Sequence, residues 1–345
     1  MKKLEDIIRP GVFHIVVLLG LVHLASAQAL PPPAPQSFAY VLQADAFAKT
    51  KASAIQRLAA SDRDWIVLDA NFSGDSPWTR ADLKAIRSAR PGRKILCYLS
   101  IGEAEDYRAY WKDSWLKNGE LTSAAPAWLI AENPDWAGNY RIKYWAKGWQ
   151  QIMLPVVDSA MAAGFDGVYL DIVDGFEFFE QDGNQFIDNR INPQTGKTYR
   201  RDMVDWVKTI AAHVRTDHPS ALVIPQNGSQ LLAQPDFLVT VSGIGIEDLL
   251  TNGNQLQPKA DTNYVLGFLK KNHRRPQAGS THRIRHHGSA EELGKIAGPQ
   301  AGIHLAAHRQ KPENHRRVRA LTLGENRNCI FRTAREQELV EKMRR

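Results

Sequence analysis

Short runs of consecutive apolar residues alternate along this chain with longer stretches whose apolar positions recur at helical spacing. The runs Phe38–Leu42, Trp65–Leu68, Ile95–Leu99, Gly167–Leu170, Ala221–Pro225 and Phe237–Val241 read as strands. The stretches Ala44–Ala60, Arg80–Ala89, Trp149–Ala163 and Arg201–Asp217 read as helices. Strands separated by helical patterns make βαβ units and a parallel sheet. Within each strand the apolar residues are continuous rather than alternating, as expected of a sheet covered on both faces. No Gly-x-Gly-x-x-Gly follows the first strand, and Gly243 and Gly245 lead into Glu247 rather than into a phosphate-binding turn.

The residues that end these strands change the picture from fold to chemistry. Ile66-Val67-Leu68 runs into Asp69, Leu96–Ser100 into Gly102, Glu103 and Glu105, and Val168-Tyr169-Leu170 into Asp171. Val223-Ile224-Pro225 runs into Gln226 and Asn227, and the sixth run leads through Gly243–Ile246 to Glu247 and Asp248. Polar groups delivered by five successive strand ends predict a (β/α)8 TIM barrel, in which those ends meet on one face and build the active site. Its seventh and eighth strands must fall after Lys271, where "HRIRHH" and "GIHLAAH" are poor substitutes, so the barrel is expected to be incomplete there.

Carboxylates from different strands facing one cleft are the minimum equipment for glycoside hydrolysis: one attacks or activates water, the other protonates the leaving oxygen. Asp171 and Glu247 are the natural pair, because each ends a strand. Capping of the following helix is the structural alternative for any one of them. An oxygen-ligated cation at Asp69, Asp171, Asp174 and Glu247 is the rival chemistry. No His ends a strand in the body, which removes the common zinc arrangements, and the expectation is no metal and no cofactor. Between Glu103 and Trp149 lie six of the nine Trp, with Tyr107, Tyr110, Tyr140 and Tyr144 among them. These aromatics either line a sugar groove or form a small core under an insertion. Trp136 and Tyr144 are the members expected against substrate.

Composition divides the chain. Lys2, Lys3 and Arg9 precede the apolar run Val12–Leu24 and the small residues Ala25-Ser26-Ala27, which predicts a signal peptide over 1–27, cleaved near Gln28, and a secreted or periplasmic protein without stable membrane insertion. A Pro-rich leader follows over 28–37, then the body over 38–271. The whole chain carries 44 Lys and Arg against 37 Asp and Glu, yet from Asn272 to Arg345 the numbers are 16 against 7. The basicity therefore belongs to the tail, and the body is slightly acidic. The tail has no Trp, Tyr or Asp and lacks the basic–aromatic interleaving of a nucleic-acid surface. A shifted reading frame, a divergent end and an arm for anionic polymers are three readings of it. Cys97 and Cys329 make neither a disulfide framework nor a zinc site, and Cys97 reads as core.

Five stretches, in order, resemble a known family: "CYLSIGEAEDYR" from Cys97, "WLIAENPDWAGNYRIKYW" from Trp128, "GFDGVYLDIVD" from Gly164, "PQNG" from Pro225 and "GIGIED" from Gly243. They resemble the endo-α-1,4-polygalactosaminidases, glycoside hydrolase family 114, over Phe38 to Phe268. The resemblance implies a secreted (β/α)8 enzyme cutting α-1,4-linked galactosamine-rich polysaccharide, with Asp171 and Glu247 as the catalytic carboxylates. It also implies that Asp69, Tyr98, Glu103, Asp174 and Asn227 surround the sugar. The expected partner is a cationic amino-sugar polymer, bound by a monomer with no nucleic acid. Asp171 is expected to be the nucleophile and Glu247 the acid/base, with retention of configuration. Two other functions compete: a non-catalytic sugar-binding barrel, and an anionic-polymer binder acting through the tail.

Overall fold

A computed structural model of the chain describes residues 35–252 and 255–273. The expected signal peptide, the leader through residue 34 and the basic tail from residue 274 lie outside the described residues, as do the expected seventh and eighth strands.

Five strands, β1 (Phe38–Val41), β2 (Trp65–Leu68), β3 (Lys94–Ser100), β4 (Gly167–Asp171) and β5 (Leu222–Pro225), form one parallel sheet in chain order. Their register is continuous: Val41 faces Leu68, Leu68 faces Cys97, Cys97 faces Val168 and Val168 faces Val223. The period of two sorts the side chains into two apolar layers. Ile66, Leu68, Ile95, Cys97, Leu99, Val168, Leu170 and Val223 pack under the helices. Trp65, Val67, Leu96, Tyr98, Tyr169, Leu222 and Ile224 form a separate layer on the opposite face. Burying each such side chain contributes about 1.5–3 kcal/mol relative to exposure, which explains why the strands are apolar at every position.

Between the strands run α1 (Lys51–Ala60), α2 (Arg80–Ser88), α3 (Lys147–Ala163), α4 (Tyr199–Asp217), α5 (Pro235–Thr240) and α6 (Lys259–His273). Capping decides where they start. The predicted Ala44–Ala60 helix is split into Ala44–Phe47 and α1, because Thr50 and Ser53 form a reciprocal capping box. Thr79 and Asp82 do the same for α2, and Gly164 ends α3 in the left-handed region.

The predicted strand Phe237–Val241 is overturned: this run is α5 up to Thr240. Pro235 sits in its first turn with Asp236, a strong helix-start signal that the β-branched run obscured. The sixth strand position is filled a few residues later. Ser242 N–H donates to Val223 O (2.8 Å), Gly245 N–H to Pro225 O (2.9 Å), and Gln226 bridges Gly245 in parallel. The result is a mixed α/β fold around a parallel sheet, with a sixth extended segment on the free edge of β5. The region after β3 is not loop alone. Glu103–Glu105, Trp136–Ile142 and Leu129–Asn133 pair as a three-stranded antiparallel sheet. Among the described residues, no helix is long and apolar enough to cross a membrane.

Candidate active site

The carboxyl ends of β4, β5 and the sixth segment bring Asp171, Gln226, Asn227 and Glu247 together. Asp171 accepts three hydrogen bonds: from Tyr98 Oη on β3 to Oδ2 (2.5 Å), and to Oδ1 from Ile172 N–H (2.8 Å) and Gln226 Nε2 (2.9 Å). Glu247 is held through Asn227, whose Oδ1 accepts its N–H (2.9 Å) and whose Nδ2 donates to Oε2 at 3.4 Å. Asn227 N–H in turn donates to Gly245 O (2.8 Å).

The backbone is strained at these ends. Ile172, Asn227 and Asp248 have φ of 55°, 61° and 50°. The left-handed region is a genuine outlier for a β-branched residue such as Ile172. Such strain persists only where surrounding contacts overdetermine it, and it clusters at functional sites. Gly102 is one such contact: a Cβ there would lie 2.1 Å from Ile172 O. At Gly245 a Cβ would meet the Tyr169 hydroxyl at 2.0 Å, so this hydroxyl reaches the sixth segment. Asp171 is also fixed through its backbone. Its carbonyl accepts Ile101 N–H (3.1 Å), and the Ile101 carbonyl takes two buried indoles, Trp149 Nε1 (3.0 Å) and Trp206 Nε1 (3.3 Å).

Charge states follow from burial and neighbours. Burial pushes Asp171 up to about 6, against the pull of Tyr98 and Ile172 and with some help from the charge on Glu105. Burial, then the charge of Asp171, pushes Glu247 up to about 7. Asp174 is held well above the carboxylate range by burial and by Glu177, Asp171 and Glu247. Glu103 is raised by burial, despite the Asn133 amide at 2.8 Å. Desolvation and like charge disfavour the ionised form of each. Two neighbouring carboxyl groups raised to about 6 and about 7 are the parts that acid–base chemistry near neutral pH requires.

The family model for glycoside-hydrolase family GH114 matches residues 22–266. The chain belongs to family GH114. An uncharacterised protein of Deinococcus radiodurans is 37% identical over 207 residues, covering 60% of this chain and 59% of that one. One of Methanocaldococcus jannaschii is 34% identical over 221 residues, covering 63% and 59%. The chain thus spans about 59% of the length of these relatives. Among solved structures, Aspergillus fumigatus Ega3 in complex with galactosamine is 17% identical, with a TM-score of 0.45 over 71% of this chain and 83% of that one. The glycoside hydrolase domain of PelA from Pseudomonas aeruginosa is 18% identical, with a TM-score of 0.43 over 69% and 79%.

In this GH114 chain the expected site residues divide. Tyr98 bonds Asp171 and Asn227 bonds Glu247, and Asp174 and Glu103 lie within electrostatic reach of this pair. Asp69 is engaged elsewhere: both of its oxygens hold Arg108 (2.9 and 2.7 Å), which also binds Glu105 at 2.7 Å. Trp136 is half-buried and lies opposite Asn133, the residue that reaches Glu103. Tyr144 is corrected from sugar contact to core. It is fully buried, and its hydroxyl donates to Tyr199 O (2.8 Å).

The aromatic segment is largely a small core of its own. Trp111, Trp115, Trp128, Tyr140 and Trp149 are linked by ring contacts of 4.7–5.5 Å between centroids, and all but Trp111 are buried. Residues absent from the sequence reading of the site are Gln226, Tyr40 and Tyr169. Gln226 stood beside the quoted asparagine as a strand-end residue, but a neutral amide carries no titratable signal. Tyr40 and Tyr169 lie on the same sheet face as Tyr98, which the period of two could have revealed. Among the described residues, no group of three or more His, Cys, Asp or Glu is placed to hold a metal ion.

Proposed function

We propose that this chain is a secreted glycoside hydrolase that cuts within α-1,4-linked galactosamine-rich polysaccharide. Asp171 is its nucleophile and Glu247 its general acid/base. One observation carries the assignment of roles: Asp171 accepts three hydrogen bonds from neutral donors, whereas the Glu247 carboxylate has a long one from Asn227. Donors aimed at a carboxylate favour its ionised form, so Asp171 is the charged partner and Glu247 keeps the proton.

Two of the donors occupy Asp171 Oδ1, which leaves Oδ2, bonded to the Tyr98 hydroxyl, as the attacking oxygen. Attack on the anomeric carbon breaks the glycosidic C–O bond while Glu247 passes its proton to the departing oxygen. Glu247, now ionised, takes a proton from water, which attacks the same carbon and frees Asp171. The product keeps its configuration. Carboxyl groups gathered at the strand ends suit a polycationic amino sugar, and the resemblance of the strand-end motifs to the polygalactosaminidases supports that substrate class.

Reducing-end release from de-N-acetylated α-1,4-galactosaminan tests the proposal. The wild-type chain should generate new ends over time, and Asp171→Asn should bind the polymer without cutting it. Binding by both with release by neither would favour the non-catalytic sugar-binding reading.

A further inference from the structure

Asp171 and Glu247 come from β4 and the sixth segment, which are not neighbours; β5 lies between them. Gln226 follows its last residue, and it joins the flanking elements twice. Through the backbone, its N–H donates to Leu170 O of β4 (2.7 Å) and it bridges Gly245 of the sixth segment. Through the side chain, Nε2 donates to Asp171 Oδ1 (2.9 Å), and the same amide lies within electrostatic reach of Glu247 and the Tyr40 hydroxyl, where it favours their charged forms. The residue is 2% exposed, so little water competes for these contacts.

We propose that Gln226 is the positioning residue that couples Asp171 to Glu247 and stabilises the charge the two share. The inference rests on reading those two carboxyl groups as the reacting pair. A primary amide is suited to the position because it offers two N–H donors and one acceptor and stays neutral at every working pH. A lysine there would neutralise both carboxylates and leave no acid. A carboxyl would add a third like charge. The amide instead stabilises charge on either partner, which lets the pair exchange one charge during the two chemical steps.

Other groups face the pair, and they stay in place when Gln226 is replaced. From β1 comes Tyr40, from β3 and its extension Tyr98, Glu103 and Glu105, from β4 itself Tyr169. Asp174 and Asp248 flank the pair along the chain. A change in titration on replacing Gln226 therefore reports the amide.

Gln226→Met keeps the length of the side chain and removes its N–H donors. Carboxyl-carbon NMR titration of Asp- and Glu-labelled protein, assigned with Asp171→Asn and Glu247→Gln, reads both midpoints without needing substrate. Both should rise, by about one to two pH units, the span of a hydrogen bond to a charged group. Both limbs of the kcat–pH profile should move up with them, while KM holds. A purely structural role would lower kcat and leave the limbs where they are. Gln226→Glu is the near-isosteric companion, and it should raise the two midpoints further by adding a like charge. Wild-type midpoints in both folded variants would overturn the proposal. If the midpoints move in a protein that cuts no galactosamine polymer, the coupling stands and the catalytic reading falls.

Discussion

Carboxylates occur in two regions of this molecule under opposite conditions. On the outer side, Asp205 and Asp236 face cations. Arg201 binds both, Lys208 reaches Asp236 (2.6 Å) and Lys197 reaches Asp205 (2.8 Å). Arg201 first, then Lys208, holds Asp236 well below its ordinary value, and Arg201 and Lys197 overcome the burial of Asp205 to lower it as well. At the strand ends, the donors that Asp171 and Glu247 meet among the described residues are neutral: a phenol, two primary amides and a peptide N–H. Both are raised. The same side-chain chemistry is made permanently ionic by a cation in one place and proton-exchanging by its omission in the other. Asp69 shows that a strand-end address is insufficient. It ends β2, yet Arg108 claims both of its oxygens, so it belongs with the structural class.

The largest effect that would sharpen this contrast is loss of turnover. Asp171→Asn should lower kcat by ~10⁴-fold or more, as removal of a reacting group does. Asp174→Asn should lower it only in part, since Asp174 shapes the field at the pair without reacting. Equal losses in the two variants, measured by reducing-end assay, would break the division of roles.

Next in size is a stability effect of the opposite sign. Asp171 carries a folded-state pKa of about 6 against an ordinary 3.8, so the folded state binds the proton more tightly. Stability from this group is full below about pH 4 and declines as pH rises through about 6. Asp171→Asn should therefore be more stable than wild type at pH 8, by roughly 1–3 kcal/mol, and lose that advantage near pH 4. Urea unfolding at the two pH values measures it.

Tyr98→Phe removes one donor from Asp171 and should move the acidic limb of activity upward by about one pH unit. The smallest effect belongs to the outer pairs. Asp236→Ala should cost about 0.5–1 kcal/mol, lost progressively in acid because its folded pKa is lowered, and leave kcat unchanged. A large change in kcat there would erase the contrast between the two regions.

Continuous apolar runs ending in polar residues made the parallel sheet visible in the sequence, because backbone periodicity and buried-strand composition are local properties. What stayed hidden was decided by partners distant in sequence. Arg108 meets Asp69 from 39 positions away, and Tyr144 meets Tyr199 from 55. Aromatic composition could announce a cluster between Glu103 and Trp149 but not which rings face solvent. Phe237–Val241 looks like a strand by its β-branched residues, yet a proline in the first helical turn, itself a local signal, makes the run a helix to Thr240. The neutral Gln226 amide carries no titratable signal, although it bonds Asp171 and lies within reach of Glu247.

The pH dependence of kcat/KM on galactosamine polymer tests the central claim most directly, that a strand-end pair without cations does the chemistry. The active form needs Asp171 ionised and Glu247 protonated, so the profile should be a narrow bell with limbs near about 6 and about 7. Asp171→Asn should flatten it to background, and Asp236→Asn should leave it unchanged. A profile without an alkaline limb, or a bell that survives in Asp171→Asn, would contradict the account.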